Sequence, residues 1–182
     1  MRYANAGIWD HVARLVTGRS QSIDTSLPTV VNKIQRLQRL ETVSYSLDKV
    51  VEGNRQSSVL PDFLAGDKLL LVVHGESIAG VDLGQLTSSD VHIQGRDIQV
   101  HLPAPQVFVT SLDNSKTRVY SRTTGLLVPE DPNLESEVRA EAQKQIQDAA
   151  LADGILKDAG KNASATVTTM LLGLGFEHAV VN

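Results

Sequence analysis

The sequence LLLVV at residues 69–73 decides the fold class, because it is a continuous apolar run that is too short for a helix. We therefore interpret it as a central strand of a sheet. Gly75 follows closely and predicts a tight turn, since glycine tolerates positive φ angles. The apolar residues within 78–83 are then expected to return as another strand. The middle of the chain is therefore predicted to be a β-sheet.

An alternating pattern places a strand before this central one. Val43, Tyr45 and Leu47 alternate with polar residues, as in a half-buried strand, and we expect this strand to run to about Val51. Residues 53–66 contain glycine, proline and polar residues, which indicates an exposed loop. The apolar residues expected to pin this loop to the domain are Leu60, Phe63 and Leu64.

The clearest local signal is the sequence VHIQGRDIQV at residues 91–100. Apolar residues alternate on both sides of Gly95 and Arg96, which is typical of a hairpin with a two-residue turn. The predicted cross-strand pairs are Gln94 with Asp97, Ile93 with Ile98, His92 with Gln99, and Val91 with Val100. Further along, residues 107–112 and 117–120 are expected to pair with each other around a turn.

The two ends of the remaining chain are predicted to be helical. A helix is expected from residue 27, because Val30, Val31 and Ile34 form one apolar stripe. The predicted C-terminal elements are a helix at 134–152, a second helix that ends at Gly175, and a short strand within 176–181. This order predicts an α+β fold. In it, a mostly antiparallel sheet of about six to seven strands is packed by an N-terminal helix and a C-terminal helix pair.

Length and composition predict one globular domain with an N-terminal appendage. The chain has 182 residues, of which 41% are hydrophobic and 21% charged, as in globular rather than disordered proteins. We interpret residues 1–26 as an amphipathic or flexible segment with a linker, and residues 27–182 as a single α+β domain. The uncharged stretch 163–176 is too short to span a bilayer, so we expect the chain as given to be soluble.

Charge and residue types exclude several classes of function. The chain has no cysteine, which excludes thiol catalysis, disulfides and zinc sites with cysteine ligands. A net charge of −4 and an aromatic content of 4% argue against nucleic-acid binding. The acidic excess lies within residues 130–150, which we interpret as the solvated face of a helix.

Two histidine-containing groups suggest chemistry at first sight. His92, His101 and Asp90 fall on the outward face of the predicted hairpin, but an open sheet face lacks the groups that orient metal ligands. His74 lies close to Ser77 in sequence, but the G-x-S-x-G motif of serine hydrolases is absent. We therefore assign no catalytic residue and no metal ligand, and we expect no cofactor.

Arg118, Tyr120 and Arg122 alternate along one predicted strand and are expected to project from the same face. Two guanidinium groups beside a phenol could bind a phosphate, a carboxylate or an acidic partner helix. The acidic helix that follows could also satisfy them internally, and we favour this interpretation. The full set of candidate ligand-binding residues is His74, Glu76, Asp82, Arg118, Tyr120 and Arg122.

Several short motifs recur together and carry a family resemblance. They are LETV at 40–43, VVEG at 50–53, LLLVVHGE at 69–76, AGVDL at 79–83, TRVYSR at 117–122, AALADGIL at 149–156 and LGFE at 174–177. From about residue 28 to the end, the chain resembles the bacterial family of unknown function DUF4230. The resemblance implies a domain with this strand-then-helix order, usually preceded by a membrane-spanning segment, and it supplies no reaction or ligand.

The expected function follows from this resemblance and from the missing catalytic signatures. We expect a non-catalytic accessory or interaction domain of a bacterial membrane-associated protein. The alternative is a small-ligand or lipid-binding domain with a pocket between sheet and helices, and an enzyme of unknown class comes third. The expected partners are another protein or a second copy of the chain, together with membrane contact through the N-terminal segment and no nucleic acid.

Overall fold

The computed structural model describes residues 25–182, so residues 1–24 of the predicted N-terminal segment lie outside the described part. Along the described chain the helices and strands are α1 (Leu27–Gln35), β1 (Arg39–Arg55), the short helix α2 (Asp62–Ala65), β2 (Asp67–Asp82), β3 (Val91–Gln94), β4 (Asp97–Val100), β5 (Gln106–Leu112), β6 (Arg118–Thr124), α3 (Leu134–Ala152), α4 (Ile155–Gly173) and β7 (His178–Val181). Two 3₁₀ helices, Leu83–Gln85 and Ser88–Asp90, connect β2 to β3.

Strand β2 is the centre of the larger sheet. Strand β1 pairs with it antiparallel, from Arg39 opposite Asp82 to Arg55 opposite Asp67. On the other edge of β2, strands β5 and β6 are both antiparallel to it and lie end to end. We call the Arg39 end of the β1–β2 ribbon its base and the Arg55 end its tip.

The predicted turn at Gly75 is wrong, because β2 continues through this residue without interruption. Gly75 is needed for close packing instead of for a turn. A Cβ atom there would lie 3.1 Å from Cγ1 of Ile146 on α3 and 3.2 Å from Cδ2 of Leu112 on β5. Glycine inside a strand commonly marks such a close approach. Because Gly75 forms no turn, β2 continues from Asp67 to Asp82 as one long strand.

The predicted pairing of residues 107–112 with 117–120 is also wrong. Strand β5 pairs with residues 75–80 of β2, and β6 pairs with residues 67–72. The intervening loop stays on the same edge, where Asp113 N–H donates to the carbonyl of His74 at 2.8 Å. Since β2 has 16 residues, it offers room for both strands, and a hairpin would leave half of this edge unpaired.

The smaller sheet contains the predicted hairpin. Strands β3 and β4 pair in the predicted register, with Ile93 opposite Ile98, and Gly95 in the turn has φ +63°. The final strand β7 pairs parallel with β4. The described residues thus form seven strands that are mostly antiparallel, and the predicted α+β class is confirmed.

The helices cover one face of the larger sheet. Helix α3 has the predicted bounds, and its buried residues follow at intervals of four: Leu134, Val138, Ala142, Ile146 and Ala150. The first three of them pack over inward residues of β1 and β2, namely Val51, Leu69, Leu71 and Val73. Gly154, with φ +89°, separates α3 from α4. In the described part of the chain, no helix is long and apolar enough to cross a membrane.

The base of the ribbon is covered from several sides. Helix α1, the smaller sheet and the second half of α4 enclose one core there. Its most deeply buried side chains include Ile34, Leu83, Val100 and Leu171. Leu83 N–H also donates to the carbonyl of Gln38 at 2.8 Å, which fixes α1 at the base.

Candidate functional site

The candidate residues on β2 lie on the open face of the larger sheet, which is the face opposite the helices. Its β2 side chains are Leu70, Val72, His74, Glu76 and Ile78, which alternate with the buried residues under α3. His74 Nδ1 lies 2.7 Å from Oδ1 of Asp48, and His74 Nε2 lies 3.5 Å from Nζ of Lys116. Glu76 accepts a hydrogen bond from the hydroxyl of Ser44. His74 and Glu76 therefore belong to a polar network that decorates the open face.

Ser77 lies on the opposite face from His74. It is fully buried, and its hydroxyl lies 2.8 Å from that of Thr110 on β5. Consecutive strand residues point to opposite faces, so the two side chains cannot act together as nucleophile and base. The geometry agrees with the absence of a hydrolase motif.

Asp82 has a local structural role at the base. Its Oδ1 accepts from the backbone N–H of Gly84 at 3.1 Å, and its Oδ2 accepts from Nε2 of Gln85 at 3.0 Å. These bonds satisfy the start of the first 3₁₀ helix, which has unpaired N–H groups like any helix N-terminus. Asp82 is separated from His74 by half the length of β2.

The prediction that Arg118, Tyr120 and Arg122 share one face is wrong. The register between β2 and β6 shifts at Tyr120, so that Arg118 lies opposite Val72 and Arg122 lies opposite Leu69. Directly opposed residues share a face, which places Arg118 on the open face and Arg122 on the helix side. A β-bulge has this effect because one extra residue reverses the alternation. Tyr120 at the bulge is 70% exposed.

Arg122 joins an internal ion-pair cluster near the tip. Its guanidinium forms two bonds with Asp67, Nε to Oδ1 at 3.2 Å and Nη2 to Oδ2 at 2.7 Å. The same Nη2 donates to the backbone carbonyl of Asp131 at 2.7 Å, and Asp131 N–H donates to Asp67 at 2.8 Å. We call Asp67, Arg122 and Asp131 the clasp, since they fasten the loop before α3 to the sheet.

The charged groups of the clasp shift one another's pKa values. Arg122 lowers the pKa of the nearly buried Asp67 carboxyl below its usual value, and Asp67 raises the pKa of Arg122. The pKa of Asp131 is also lowered, first by the backbone N–H of Asn133 and then by Arg55, whose Nε lies 3.0 Å from Asp131. Charge-assisted and bidentate bonds of this kind are among the strongest in proteins. The internal interpretation of Arg122 fits the structure, although its partners lie on β2 and in the loop before α3 and not on that helix.

The imidazole groups of the smaller sheet do not form a metal centre. Asp90 accepts from the backbone N–H of Thr87 at 2.8 Å and from its hydroxyl at 2.6 Å, and these bonds lower the pKa of Asp90. Within residues 25–182, no group of three or more histidine, aspartate or glutamate side chains is arranged to hold a metal ion. Asp90 therefore stabilises the short 3₁₀ helix before β3, next to the exposed His92 and His101.

A cluster that the sequence interpretation missed lies at the tip of the ribbon. Large apolar side chains are exposed there on two neighbouring segments, the loop with helix α2 before β2 and the loop after β6: Val59 by 86%, Leu60 by 41%, Phe63 by 68%, Leu126 by 82% and Leu127 by 66%. We call these five residues the apolar tip. The prediction that Leu60 and Phe63 pin their loop is wrong, since both are exposed, whereas Leu64 is half-buried.

The two loops of the apolar tip are joined by backbone hydrogen bonds. Leu126 N–H donates to the carbonyl of Phe63 at 3.1 Å, and Leu127 N–H donates to that of Leu64 at 2.9 Å. Gly125 permits this approach, because a Cβ atom there would lie 2.4 Å from the carbonyl carbon of Leu64. The exposed apolar side chains are thus carried by a fixed backbone.

Of the surface depressions of ligand size, two lie beside the C-terminal helices. One, of about 470 Å³, runs between β5 and α3 and is lined by Thr110, Ser111, Leu112, Asn114, Ser136, Arg139, Ala140 and Gln143. Another, of about 380 Å³, lies between the loop 101–105 and α4. None of the six candidate residues lines either depression, and their assignment as ligand-binding residues stays a prediction.

Comparison with known proteins identifies the family. The profile of the family described as "Protein of unknown function (DUF4230)" matches residues 32–181. The chain belongs to this family. The DUF4230 match extends from within α1 to the end of β7, so the clasp and the apolar tip both lie inside it. No match to a curated protein or to a solved structure was found.

Proposed function

We propose that this DUF4230 chain is a non-catalytic interaction domain of a bacterial membrane-associated protein, and that the apolar tip is its docking surface. The observation that carries the proposal is the exposure of five large apolar side chains on two loops that are hydrogen-bonded to each other. Exposed apolar side chains that cluster, unlike single ones, mark interaction sites on soluble proteins. The titratable residues, by contrast, are spread over both sheets and mostly bond to neighbours in the fold.

The shape of the molecule supports this role. Helix α1 lies at the base, and the apolar tip lies at the other end of the β1–β2 ribbon. At 3.3 Å per residue, the strands separate the two ends by about 50 Å. A domain held at a membrane through its N-terminal residues would therefore present the apolar tip far from that attachment.

Site-specific photo-crosslinking in living bacteria tests the proposal. A benzophenone amino acid replaces Leu126 at the apolar tip or, as a control, Ser46 on the open face, in the full chain. We expect a discrete crosslinked adduct from position 126, none from position 46, and loss of the adduct when Phe63→Ser is added. Adducts of equal yield from both positions, or none from position 126, would contradict the proposal.

Small-molecule binding is the second candidate function, and the groove between β5 and α3 favours it. Its volume of about 470 Å³ is in the range of ligand sites, and Arg139 is its cationic group. However, Arg139 bonds to Glu135 at 3.0 Å and to Asn114 at 3.1 Å, so an anionic ligand must displace existing partners. Native mass spectrometry of the purified chain tests this candidate, which predicts a retained ligand that Arg139→Ala removes.

A further inference from the structure

We infer that the partner of the apolar tip is a protein surface with an apolar centre and a basic rim. This inference rests on the proposed function and specifies the chemistry of the docking partner. It follows from the charges around the apolar tip, from the identity of the exposed side chains, and from the rigidity of the two loops.

The loops that carry the apolar tip are acidic. Residues 56–66 and 125–133 contain Asp62, Glu130 and Asp131, and they contain no lysine, arginine or histidine. The Glu130 side chain is 66% exposed, and its contact with Arg122 is long, at 3.4 Å. The apolar tip is therefore bordered by negative charge.

The nearby basic groups are already used by the fold. Arg122 is 16% exposed and bonds to Asp67, Arg55 bonds to Asp131 and Glu137, and Lys68 bonds to Glu52. The first turn of α3 adds Glu135 and Glu137, which are themselves paired with Arg139 and Arg55. Residues 52–68 and 122–137 together contain seven acidic and three basic side chains, so the border around the apolar tip keeps a net negative charge.

This charge decides among three kinds of partner. An anionic bilayer attracts basic segments and would repel this border. A second copy docked tip to tip would place like charges against each other, since a two-fold interface brings the same patch together. A protein with basic residues around an apolar centre satisfies both the exposed side chains and the acidic border.

The fixed backbone makes the apolar tip suited to tight docking. Leu126 and Leu127 are held to helix α2 by hydrogen bonds, and Gly125 packs against the backbone of Leu64 and Ala65. Pro61 and Pro129 restrict the backbone further. A preformed surface loses little conformational entropy when it binds, so the exposed Leu and Phe side chains can contribute fully.

Defined probes and a single fluorescent label test the inference. Because the chain has no cysteine, Leu126→Cys provides a unique position for a polarity-sensitive dye, and Val180→Cys on the smaller sheet provides the control position. The probes are a synthetic amphipathic helix of leucine and lysine, the matched helix of leucine and glutamate, and vesicles of phosphatidylcholine with phosphatidylglycerol. We expect the leucine–lysine helix alone to shift the emission at position 126, with no shift at position 180.

Charge reversal at the border makes the test specific. The double variant Asp62→Lys with Glu130→Lys is expected to bind the leucine–lysine helix about tenfold more weakly and to gain binding of the leucine–glutamate helix. Phe63→Ser is expected to weaken binding about tenfold, both of the leucine–lysine helix to the otherwise unchanged chain and of the leucine–glutamate helix to the double variant, as loss of an interface anchor does. Thermal unfolding and circular dichroism of each variant, compared with wild type, show whether the fold is kept.

The outcomes separate this inference from the proposed function. Equal binding of both helices, unchanged preference after charge reversal, or a shift on the vesicles would overturn the basic partner while leaving the apolar tip as a docking surface. A label at position 126 that responds to no probe would overturn the inference. Absence of crosslinking at the same position would then overturn the proposed function as well.

Discussion

The two ends of the β1–β2 ribbon treat large apolar residues in opposite ways. At the base, Ile34, Leu83 and Leu171 are fully buried by helices and by the smaller sheet. At the other end, Leu126 and Leu127 are mostly exposed, although Leu134, the first residue of α3, is only 2% exposed. Helix α3 therefore covers apolar residues close to the apolar tip, but it leaves the apolar tip itself uncovered. We therefore expect the base residues to stabilise the fold, while recognition by the tip residues is the function proposed above.

The largest effect is expected from a truncation in the core at the base. Leu171→Ala removes a side chain that is fully buried on α4 and should lower the free energy of unfolding by about 3 kcal/mol or more, through lost burial and a cavity. Leu172→Ala is the matched control, because the next residue is 46% exposed. Chemical denaturation measures both variants. A loss of equal size in the control would break the contrast between covered and uncovered leucines.

The clasp beneath the apolar tip is expected to have the next largest effect. Asp67→Asn leaves Arg122 without its buried carboxylate and should cost about 2 kcal/mol of unfolding free energy. The control Asp62→Asn changes an exposed carboxylate and should alter stability by less than about 0.5 kcal/mol. Hydrogen exchange should show faster opening at the start of α3 in the first variant. Unchanged exchange there would mean that the clasp does not fasten this loop.

The stabilising effect of the clasp should depend on pH in a defined direction. The folded-state pKa of Asp67 lies below its ordinary value because Arg122 donates to it. Its contribution is therefore complete above about pH 4, the value of an unperturbed aspartate, and is lost as the pH falls through the lower folded-state pKa. The difference in unfolding free energy between wild type and Asp67→Asn should accordingly shrink with acidification. A difference that grows at low pH would contradict this assignment.

A smaller effect is expected from Gly125, which joins the two loops of the apolar tip. Gly125→Ala forces a Cβ atom against the backbone of Leu64 and should cost about 1–2 kcal/mol. Gly173→Ala is the control, because a Cβ there meets open space at the end of α4 and should be neutral or stabilising by about 0.5 kcal/mol. Denaturation measures the stability, and the Leu126 amide reports exchange at the tip. If Gly125→Ala leaves both unchanged, the loops are not closely joined.

The elements that local signals specify could be predicted from the sequence. The register of the β3–β4 hairpin follows from the Gly95 turn and its flanking alternation, and the bounds of α3 follow from its apolar spacing and from Gly154. The turn predicted at Gly75 failed because the reason for this glycine is Ile146, which lies far away in sequence. Glycine is found both in turns and where a backbone must pack closely against another element, and the sequence alone does not show which reason applies.

The candidate site shows a similar division. An internal role for Arg122 could be predicted from the sequence, because acidic residues follow it closely. Its partner Asp67 could not be predicted, because Asp67 lies far away in sequence on the neighbouring strand β2. The bulge at Tyr120 depends on β2 and reversed the expected face. The apolar tip was missed because Leu60 and Phe63 look like core residues in a loop, and only the fold shows them exposed. The missed signal was the absence of basic residues beside apolar ones in 56–66 and 125–133.

The smallest effect on stability, and the sharpest test of the contrast, is expected at the apolar tip itself. Leu126→Ser removes an apolar side chain that is 82% exposed, so the free energy of unfolding should change by less than about 0.5 kcal/mol. The same substitution should weaken binding of the leucine–lysine helix, measured by calorimetry, because it removes apolar area from the docking surface. Ser46→Ala on the open face is the control for binding and should leave the affinity unchanged. A tip variant that loses stability and keeps its affinity would place Leu126 with the core residues of the base and remove the distinction between the two ends.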